Sequence, residues 1–237
     1  PDLIVQVHGG GWRFGNKEGG VPHQFVEHGF AVASLDFRQS TDAAFPAMVH
    51  DIKAAIRFLR ANADVYGYDA TNIAITGASS GAHLAQVVGV SNGHAELEGT
   101  LGDHLNTSSD IQAILSYFGA SDLTTILSQS TPFGLNVRAP ALEFLLGALP
   151  ENDEAKAKLA SPVYLVDAND PPLLLLHGDR DPQMPINQSL QMLGAYKAAN
   201  LDVLFDPVHG AVHGGPGFFD EGHLATALAF LQRTLNK

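Results

Sequence analysis

The 237-residue chain contains no cysteine and little positive charge, with 13 lysines and arginines against 25 aspartates and glutamates. The lack of cysteine excludes disulfide bonds and thiolate metal sites, and it fits the cytosol and oxidising compartments equally well. A net charge of −12 repels phosphate backbones, so nucleic acid is excluded as a partner. No apolar run reaches the length that spans a bilayer, so the sequence predicts no membrane partner.

The composition indicates a folded chain with a sizeable core. Hydrophobic residues make up 45% of the chain and charged residues 16%, which is typical of globular proteins. The length suits one large α/β domain. Because neither a repeat nor a linker divides the sequence, we expect residues 1–237 to form a single domain.

Short apolar runs alternate with segments of helical periodicity, which predicts a mostly parallel sheet with helices on both faces. The predicted strands cover residues 3–7, 30–36, 73–76, 111–118, 173–176 and 202–205. The predicted helices cover residues 23–28, 47–63, 83–88, 189–200 and 224–235. Residues 91–110 are polar and glycine-rich and predict a loop, whereas residues 122–164 predict a small helical insert over the site.

Ser79 is the most informative residue, because it stands at a predicted strand–turn–helix within the G-A-S-S-G motif of residues 77–81. A serine at such a turn is held in a strained backbone conformation that exposes its hydroxyl above the sheet. The close approach of strand and helix leaves no room for side chains two positions away, where Gly77 and Gly81 stand. Ser80, the neighbouring alternative, would have alanines at those positions, so the pattern favours Ser79 as the nucleophile.

Three consecutive glycines follow the first predicted strand, in the H-G-G-G-W motif of residues 8–12. Ligands of open α/β sheets bind beyond the carboxyl ends of the strands. Glycines at that place can turn backbone N–H groups toward a developing negative charge. We therefore assign the oxyanion hole to the N–H groups of Gly10 and Gly11, with that of Ser80 as a further donor. A plain glycine-rich turn is the alternative, which the serine turn disfavours.

The loops after the last two predicted strands supply candidates for an acid and a base. Asp179 and Asp181 follow one strand, and His209 and His213 follow the other. Serine, aspartate and histidine then occur in the chain order of an α/β-hydrolase. The flexible glycines after His213 favour it as the base. Both aspartates, and Asp122 as a minority alternative, stay open as the acid.

These residue types suit nucleophilic catalysis. A serine hydroxyl is a weak nucleophile until an imidazole accepts its proton, and a carboxylate is needed to orient that imidazole. The mechanism uses no cofactor. A cation site at His177, Asp179 and Asp181 is the metal alternative, but no metal-binding spacing of histidines accompanies these residues, so we predict no metal.

Two motifs resemble those of α/β-hydrolase serine esterases: H-G-G-G-W at residues 8–12 and G-A-S-S-G-A-H at residues 77–83. The resemblance is closest to the bacterial feruloyl- and acetylxylan-esterase-like group, which is related to the hormone-sensitive-lipase-like esterases. Residues 160–163, 170–179 and 213–218 resemble the same group. One departure is Gln183, which stands where an apolar residue is more usual.

The resemblance implies a serine carboxylesterase of the α/β-hydrolase fold, with Ser79 as the nucleophile, Asp181 as the acid and His213 as the base. Its partners would be small-molecule esters with short-chain or aryl acids, including acetyl or feruloyl esters of plant polysaccharide. An arylformamidase-type amidase on the same fold is the alternative enzyme. A non-catalytic binding module is the alternative outside enzymes.

The resemblance also raises an expectation about the sheet edge. The fold of that group begins with strands that precede the equivalent of residues 3–7, and this chain begins at Pro1 without them. The strand at residues 30–36 would then lie at an open edge, and an exposed apolar edge favours pairing between chains. We therefore expect either a homodimer through that edge or an upstream segment outside this sequence.

Overall fold

One parallel β-sheet organises the fold, which a computed structural model describes for residues 1–235. The sheet has six strands in this range: β1 (Asp2–Val7), β2 (Ala31–Leu35), β3 (Asp69–Ala78), β4 (Ala113–Tyr117), β5 (Leu173–Gly178) and β6 (Val203–Val208). All neighbours pair in parallel, in the order β2-β1-β3-β4-β5-β6. The predicted α/β class with a mostly parallel sheet is confirmed.

Helices connect the strands. Within the same range they are α1 (His23–Glu27), α2 (Ala47–Ala61), α3 (Ala63–Tyr66), α4 (Ser80–Gly89), α5 (Ala95–Glu98), α6 (Ile126–Gln129), α7 (Pro132–Leu146), α8 (Glu154–Leu159), α9 (Asn187–Ala198) and α10 (Glu221–Leu235). Short 3₁₀ turns occur at Pro150–Asn152, Pro162–Tyr164 and Pro216–Phe219. None of the helices described is long and apolar enough to cross a membrane.

Alternating side chains of the strands pack against helices on opposite faces of the sheet. On β1, Leu3 and Val5 belong to one core and Ile4 to the other. The first core joins the sheet to α2, α4, α7 and α9, and the second joins it to α1 and α10. Because burying one such side chain stabilises the fold by about 1.5–3 kcal/mol, both layers hold the strands in place.

Residues 122–164 fold into α6, α7, α8 and two of the 3₁₀ turns. The longest of these helices, α7, begins after Thr131, whose hydroxyl accepts the N–H of Gly134 at 3.0 Å. It ends at Leu146 and is capped by Gly147, whose φ of 81° suits a glycine C-cap. Its inner face enters the first core through Ala141, Leu142 and Leu145.

The prediction of a loop over residues 91–110 is wrong at Ala95–Glu98, where the chain forms the helix α5. The Glu98 carboxylate pairs with the buried ammonium group of Lys53 at 3.1 Å and with Arg57 of α2. The hydroxyl of Ser109 donates to the same carboxylate at 2.7 Å. A single helical turn is too short to show a 3.6-residue period, so only these tertiary contacts reveal it.

β2 lies at one edge of the sheet and pairs only with β1 among residues 1–235. Four of its five residues are half-buried. The pairing of two chains through this edge stays a prediction. At the opposite edge β6 contains Pro207, which has no N–H to donate and is tolerated in edge strands.

The strand order places a topological switch between β1 and β3. From β1 the chain crosses to β2 on one side, and it then returns past β1 to β3 on the other side. The loops that leave the carboxyl ends of β1 and β3 therefore diverge and open a crevice, where ligands of such sheets bind. The glycine loop, defined here as residues 8–12, follows β1, and Ser79 follows β3.

Candidate active site

Ser79 forms the turn between β3 and α4, with a φ of 55° and a ψ of −121°. This backbone conformation costs a non-glycine residue about 1–3 kcal/mol and persists only where the surroundings impose it. The N–H of Ser79 donates to the carbonyl of Tyr117 on β4 at 2.9 Å, and the carbonyl of Ser79 accepts the N–H of His83 at 3.0 Å. The sharp turn expected at this serine is therefore present.

Gly77 and Gly81 allow β3, α4 and β1 to approach closely at the turn. A Cβ on Gly77 would lie 2.5 Å from the carbonyl group of Gly81. A Cβ on Gly81 would overlap the carbonyl oxygens of Val7 and His8. Because all of these atoms belong to the backbone, no side-chain rotation can relieve either overlap.

Replacing Gly81 with alanine is expected to destabilise the fold by about 3 kcal/mol or more, because the new methyl group displaces the end of β1. The measurement is the urea midpoint of unfolding, or the yield of soluble protein. Gly194→Ala on α9 is the matched control, since nothing lies within 4 Å of the added Cβ. Alanine is favoured over glycine in a helix by roughly 0.5–1 kcal/mol, so equal midpoints for the two variants would contradict the steric explanation.

His213 contacts both Ser79 and Asp181. Its Nε2 lies 2.9 Å from Oγ of Ser79, and its Nδ1 lies 2.6 Å from Oδ2 of Asp181. The loops after β3, β5 and β6 thus bring three side chains together, although Ser79 and His213 are 134 residues apart in the chain. Such an arrangement lets the imidazole accept the serine proton while the carboxylate holds Nδ1–H.

Asp181 is held by more than His213. Its Oδ1 accepts the N–H groups of Gln183 at 2.8 Å and Met184 at 2.9 Å, and Nε2 of His177 lies 3.6 Å from its Oδ2. Burial alone would raise the pKa of Asp181. The hydrogen bonds from His213 and the backbone, together with the nearby His177 ring, outweigh the effect of burial and hold the pKa of Asp181 well below its usual range. Asp181 is therefore ionised at neutral pH.

The other candidate acids and base lie in different contacts. Oδ2 of Asp179 is 2.9 Å from Nδ1 of His209, and the His209 side chain is 83% exposed. Asp122 accepts hydrogen bonds from two polar side chains. In the part of the chain that the structure describes, neither aspartate bonds the imidazole that contacts Ser79. The geometry therefore separates Asp181 from the aspartates that sequence reasoning left open.

The cation site considered at His177 has no counterpart in residues 1–235, where no group of three histidine or acidic side chains is placed to hold a metal ion. His177 is fully buried. Its Nδ1 lies 2.7 Å from Oγ of Ser189, and its Nε2 lies 3.0 Å from the carbonyl oxygen of Met184. Both ring nitrogens are thus occupied by hydrogen bonds within the protein.

Gly9, Gly10 and Gly11 of the glycine loop line the same pocket as Ser79. Gly10 and Gly11 have φ values of 126° and 62°, which favour glycine. A Cβ on Gly10 would also overlap the carbonyl group of Phe14. Among residues 1–235, no protein acceptor bonds the N–H groups of Gly10, Gly11 or Ser80. N–H groups that have no protein acceptor are available to bind an anionic oxygen.

Trp12 and His83 attach the glycine loop to α4 and to the chain after α8. Nε1 of Trp12 donates to Nδ1 of His83 at 3.0 Å, and Nε2 of His83 donates to the carbonyl of Ala160 at 2.7 Å. Burial lowers the pKa of His83 to about 4, although the bond to Ala160 opposes the shift. His83 is therefore neutral at pH 7 and serves as a fixed link beneath the loop.

A pocket of about 420 Å³ opens beside Ser79. Its lining combines the glycine loop, Ser79 and His213 with Arg138 of α7. Sequence reasoning missed Arg138. The signal that could have revealed it is isolation, because Arg138 is the only lysine or arginine between Arg60 and Lys156.

A protein-family model described as BD-FAE matches residues 1–195. The chain belongs to the BD-FAE family. This membership agrees with the esterase group that the motifs resemble. Esterase LipQ of Mycobacterium tuberculosis is 32% identical over 201 residues, which are 83% of this chain and 46% of LipQ. The chain spans about half the length of the curated relatives it matches.

Solved esterase structures share the fold over nearly the whole chain. A truncated form of a carbohydrate esterase from gut microbiota gives a TM-score of 0.90 at 32% identity, covering 100% of this chain and 86% of that one. Thermogutta terrifontis esterase 2, phosphonylated by sarin, gives a TM-score of 0.80 at 27% identity, covering 98% and 83%. The α/β-hydrolase fold of this BD-FAE member is thereby confirmed.

Proposed function

We propose that this chain is a serine carboxylesterase that works through an acyl-enzyme. The observation that carries the proposal is the continuous series of hydrogen bonds from Asp181 through His213 to Ser79. These contacts supply an orienting carboxylate, a general base and a nucleophile in the required order. Membership of the BD-FAE family and the esterase names of its relatives support the same reaction class.

In the first half-reaction, Oγ of Ser79 forms a bond to the ester carbonyl carbon while its proton passes to Nε2 of His213. The carbonyl oxygen becomes an oxyanion, which the N–H groups of Gly10, Gly11 and Ser80 stabilise. The carbon–oxygen bond to the alcohol then breaks. His213 returns the proton to the departing alcohol, and the acyl group stays on Ser79.

In the second half-reaction, water takes the place of the alcohol. His213 removes a proton from the water as its oxygen attacks the acyl carbon. The bond between that carbon and Oγ of Ser79 breaks, the proton returns to the serine, and the carboxylic acid leaves. Asp181 orients the imidazole and stabilises its charged form in both halves, and no cofactor takes part.

Short-chain or aryl acids are the acyl groups that we propose for the substrate. The pocket is small for a ligand site, at about 420 Å³, and the helix α7 forms part of its lining. Phe118 lines it as well and packs edge-on against His213, with ring centres 4.8 Å apart. Acetyl or feruloyl esters of plant polysaccharide fit this class, and the similarity to a carbohydrate esterase from gut microbiota supports them.

Turnover combined with active-site labelling tests the proposal. We expect the purified protein to hydrolyse 4-nitrophenyl acetate and to bind one fluorophosphonate per chain, which peptide mass spectrometry locates on Ser79. A label on another serine would contradict the assigned nucleophile. Turnover of N-formylkynurenine without ester hydrolysis would indicate an arylformamidase. A folded protein that neither hydrolyses esters nor reacts with the probe would indicate a non-catalytic binding module.

A further inference from the structure

Arg138 is a buried cation without a carboxylate partner among residues 1–235. Its residue is only 2% exposed, yet it lines the pocket beside Ser79. Of the five N–H donors of its guanidinium group, one reaches a protein acceptor, the carbonyl oxygen of Gln183 at 3.5 Å. Its Nε is buried and has no partner. An uncompensated buried charge is strongly destabilising, so this arrangement points to a ligand that completes it.

Two other buried cations among residues 1–235 have a carboxylate partner. Lys53 is fully buried and Arg57 is 1% exposed, and both pair with the carboxylate of Glu98. Asp181 attracts Arg138 electrostatically. However, the carboxylate oxygens of Asp181 already accept hydrogen bonds from His213 and from two backbone N–H groups. Arg138 therefore differs from Lys53 and Arg57 in having no carboxylate partner in the described range.

Arg13 brings a second guanidinium group to the same pocket. Its central carbon lies 5.3 Å from the ring centre of Phe14 and 5.8 Å from that of Phe144. No acceptor in the described range bonds the Arg13 side chain, and its Nε is buried.

Burial lowers the pKa of Arg138 to about 10, with Asp181 opposing and Arg13 adding to the shift. Arg138 thus stays charged at neutral pH.

We propose that Arg13 and Arg138 form a carboxylate-binding subsite in the Ser79 pocket, so that the preferred substrates are esters that also carry a free carboxylate. A guanidinium group matches a carboxylate in shape, because it can donate two parallel N–H bonds to the two oxygens. Such a substrate supplies the acceptor that Arg138 lacks within the protein. This inference rests on the proposed esterase function and names a substrate class for it.

The carboxylate belongs either to the acyl part of the ester, as in a hemiester of a dicarboxylic acid, or to the alcohol part. Two matched pairs of probes separate these sources. Mono-4-nitrophenyl glutarate against 4-nitrophenyl valerate places the charge in the acyl part. The ester 4-acetoxybenzoate against its methyl ester places it in the alcohol part. The quantity measured is selectivity, defined as kcat/KM for the charged ester divided by kcat/KM for the neutral one.

Arg138→Gln and Arg13→Gln are each expected to lower the selectivity of at least one pair by roughly ten- to hundredfold, because a charge-assisted hydrogen bond is lost. The loss should lie mainly in the KM of the charged ester, since the contact is remote from the reacting carbon. Arg138→Lys keeps the charge without the planar fork and should retain part of the selectivity. Arg180→Gln removes the same charge at an exposed position outside the pocket, and it should leave both ratios unchanged.

A merely structural Arg138 is the main competing explanation, because its guanidinium lies 5.4 Å from the ring centre of Trp12 in the glycine loop. In that case charged and neutral esters lose rate equally, which would overturn the subsite, as would unchanged ratios in both glutamine variants. If Arg138→Gln does not fold, the less buried Arg13→Gln decides. Failure of the proposed function is distinct: the wild-type protein then hydrolyses neither member of either pair, and the inference falls with it.

Discussion

Ser79→Ala is expected to lower kcat for 4-nitrophenyl acetate by about 10⁴- to 10⁶-fold. Alanine offers no oxygen to bond the ester carbonyl carbon, so no acyl-enzyme forms. What remains is the stabilisation that the glycine loop offers to direct attack by water. The release of 4-nitrophenolate at saturating ester, measured on folded protein, gives kcat for both enzymes.

Two other serines serve as controls for this loss. Ser128 is an exposed residue of α6 outside the pocket, so Ser128→Ala should retain the wild-type kcat. Ser80→Ala removes a hydroxyl but keeps the backbone N–H assigned to the oxyanion hole, so its loss should be far smaller than that of Ser79→Ala. A Ser79→Ala enzyme with the wild-type kcat would show that another residue is the nucleophile.

Asp181→Asn is expected to lower kcat by about 10³- to 10⁴-fold. An asparagine oxygen can still accept the N–H groups of Gln183 and Met184, which Oδ1 of Asp181 accepts now. The amide –NH₂ then faces Nδ1 of His213, and it forces the tautomer that carries its proton on Nε2. That proton points at Ser79, so the imidazole cannot accept the serine proton. The measurement is kcat with the same ester.

Asp179→Asn is the matched control, since it makes the same chemical change two residues earlier in the same loop. Asp179 bonds the exposed His209 and has no contact with Ser79. We therefore expect Asp179→Asn to stay within about twofold of the wild-type kcat, as surface substitutions usually do. A loss as large as that of Asp181→Asn would mean that the two aspartates exchange their histidine partners during turnover. The contacts seen in the structure would then not identify the catalytic acid.

Most of the sheet could be predicted from the sequence, because strands buried on both faces read as short apolar runs. The runs at residues 3–7 and 173–176 lie within β1 and β5. Boundaries were less accurate, since β6 continues to Val208 through Pro207. Proline ends most strands, and it is tolerated here only because β6 lies at an edge, which no local pattern reveals.

The turn at Ser79 was also predictable, and for a steric reason. Only glycine fits at positions 77 and 81 when a strand and a helix meet so closely, so the motif records the backbone geometry directly. In contrast, α5 was missed because its one turn depends on the ion pairs of Glu98 with α2.

The strained turn at Ser79, the glycine loop and the order of the strands follow from local sequence alone, because each depends on periodicity or backbone sterics within a few neighbouring residues. The pairing of Asp181 with His213, and of Asp179 with His209, depends instead on how the chain folds. The two aspartates have nearly the same local surroundings, and the lengths and paths of two separate loops set their partners. In the same way, Arg138 reaches the pocket that Ser79 lines because α7 packs over the sheet.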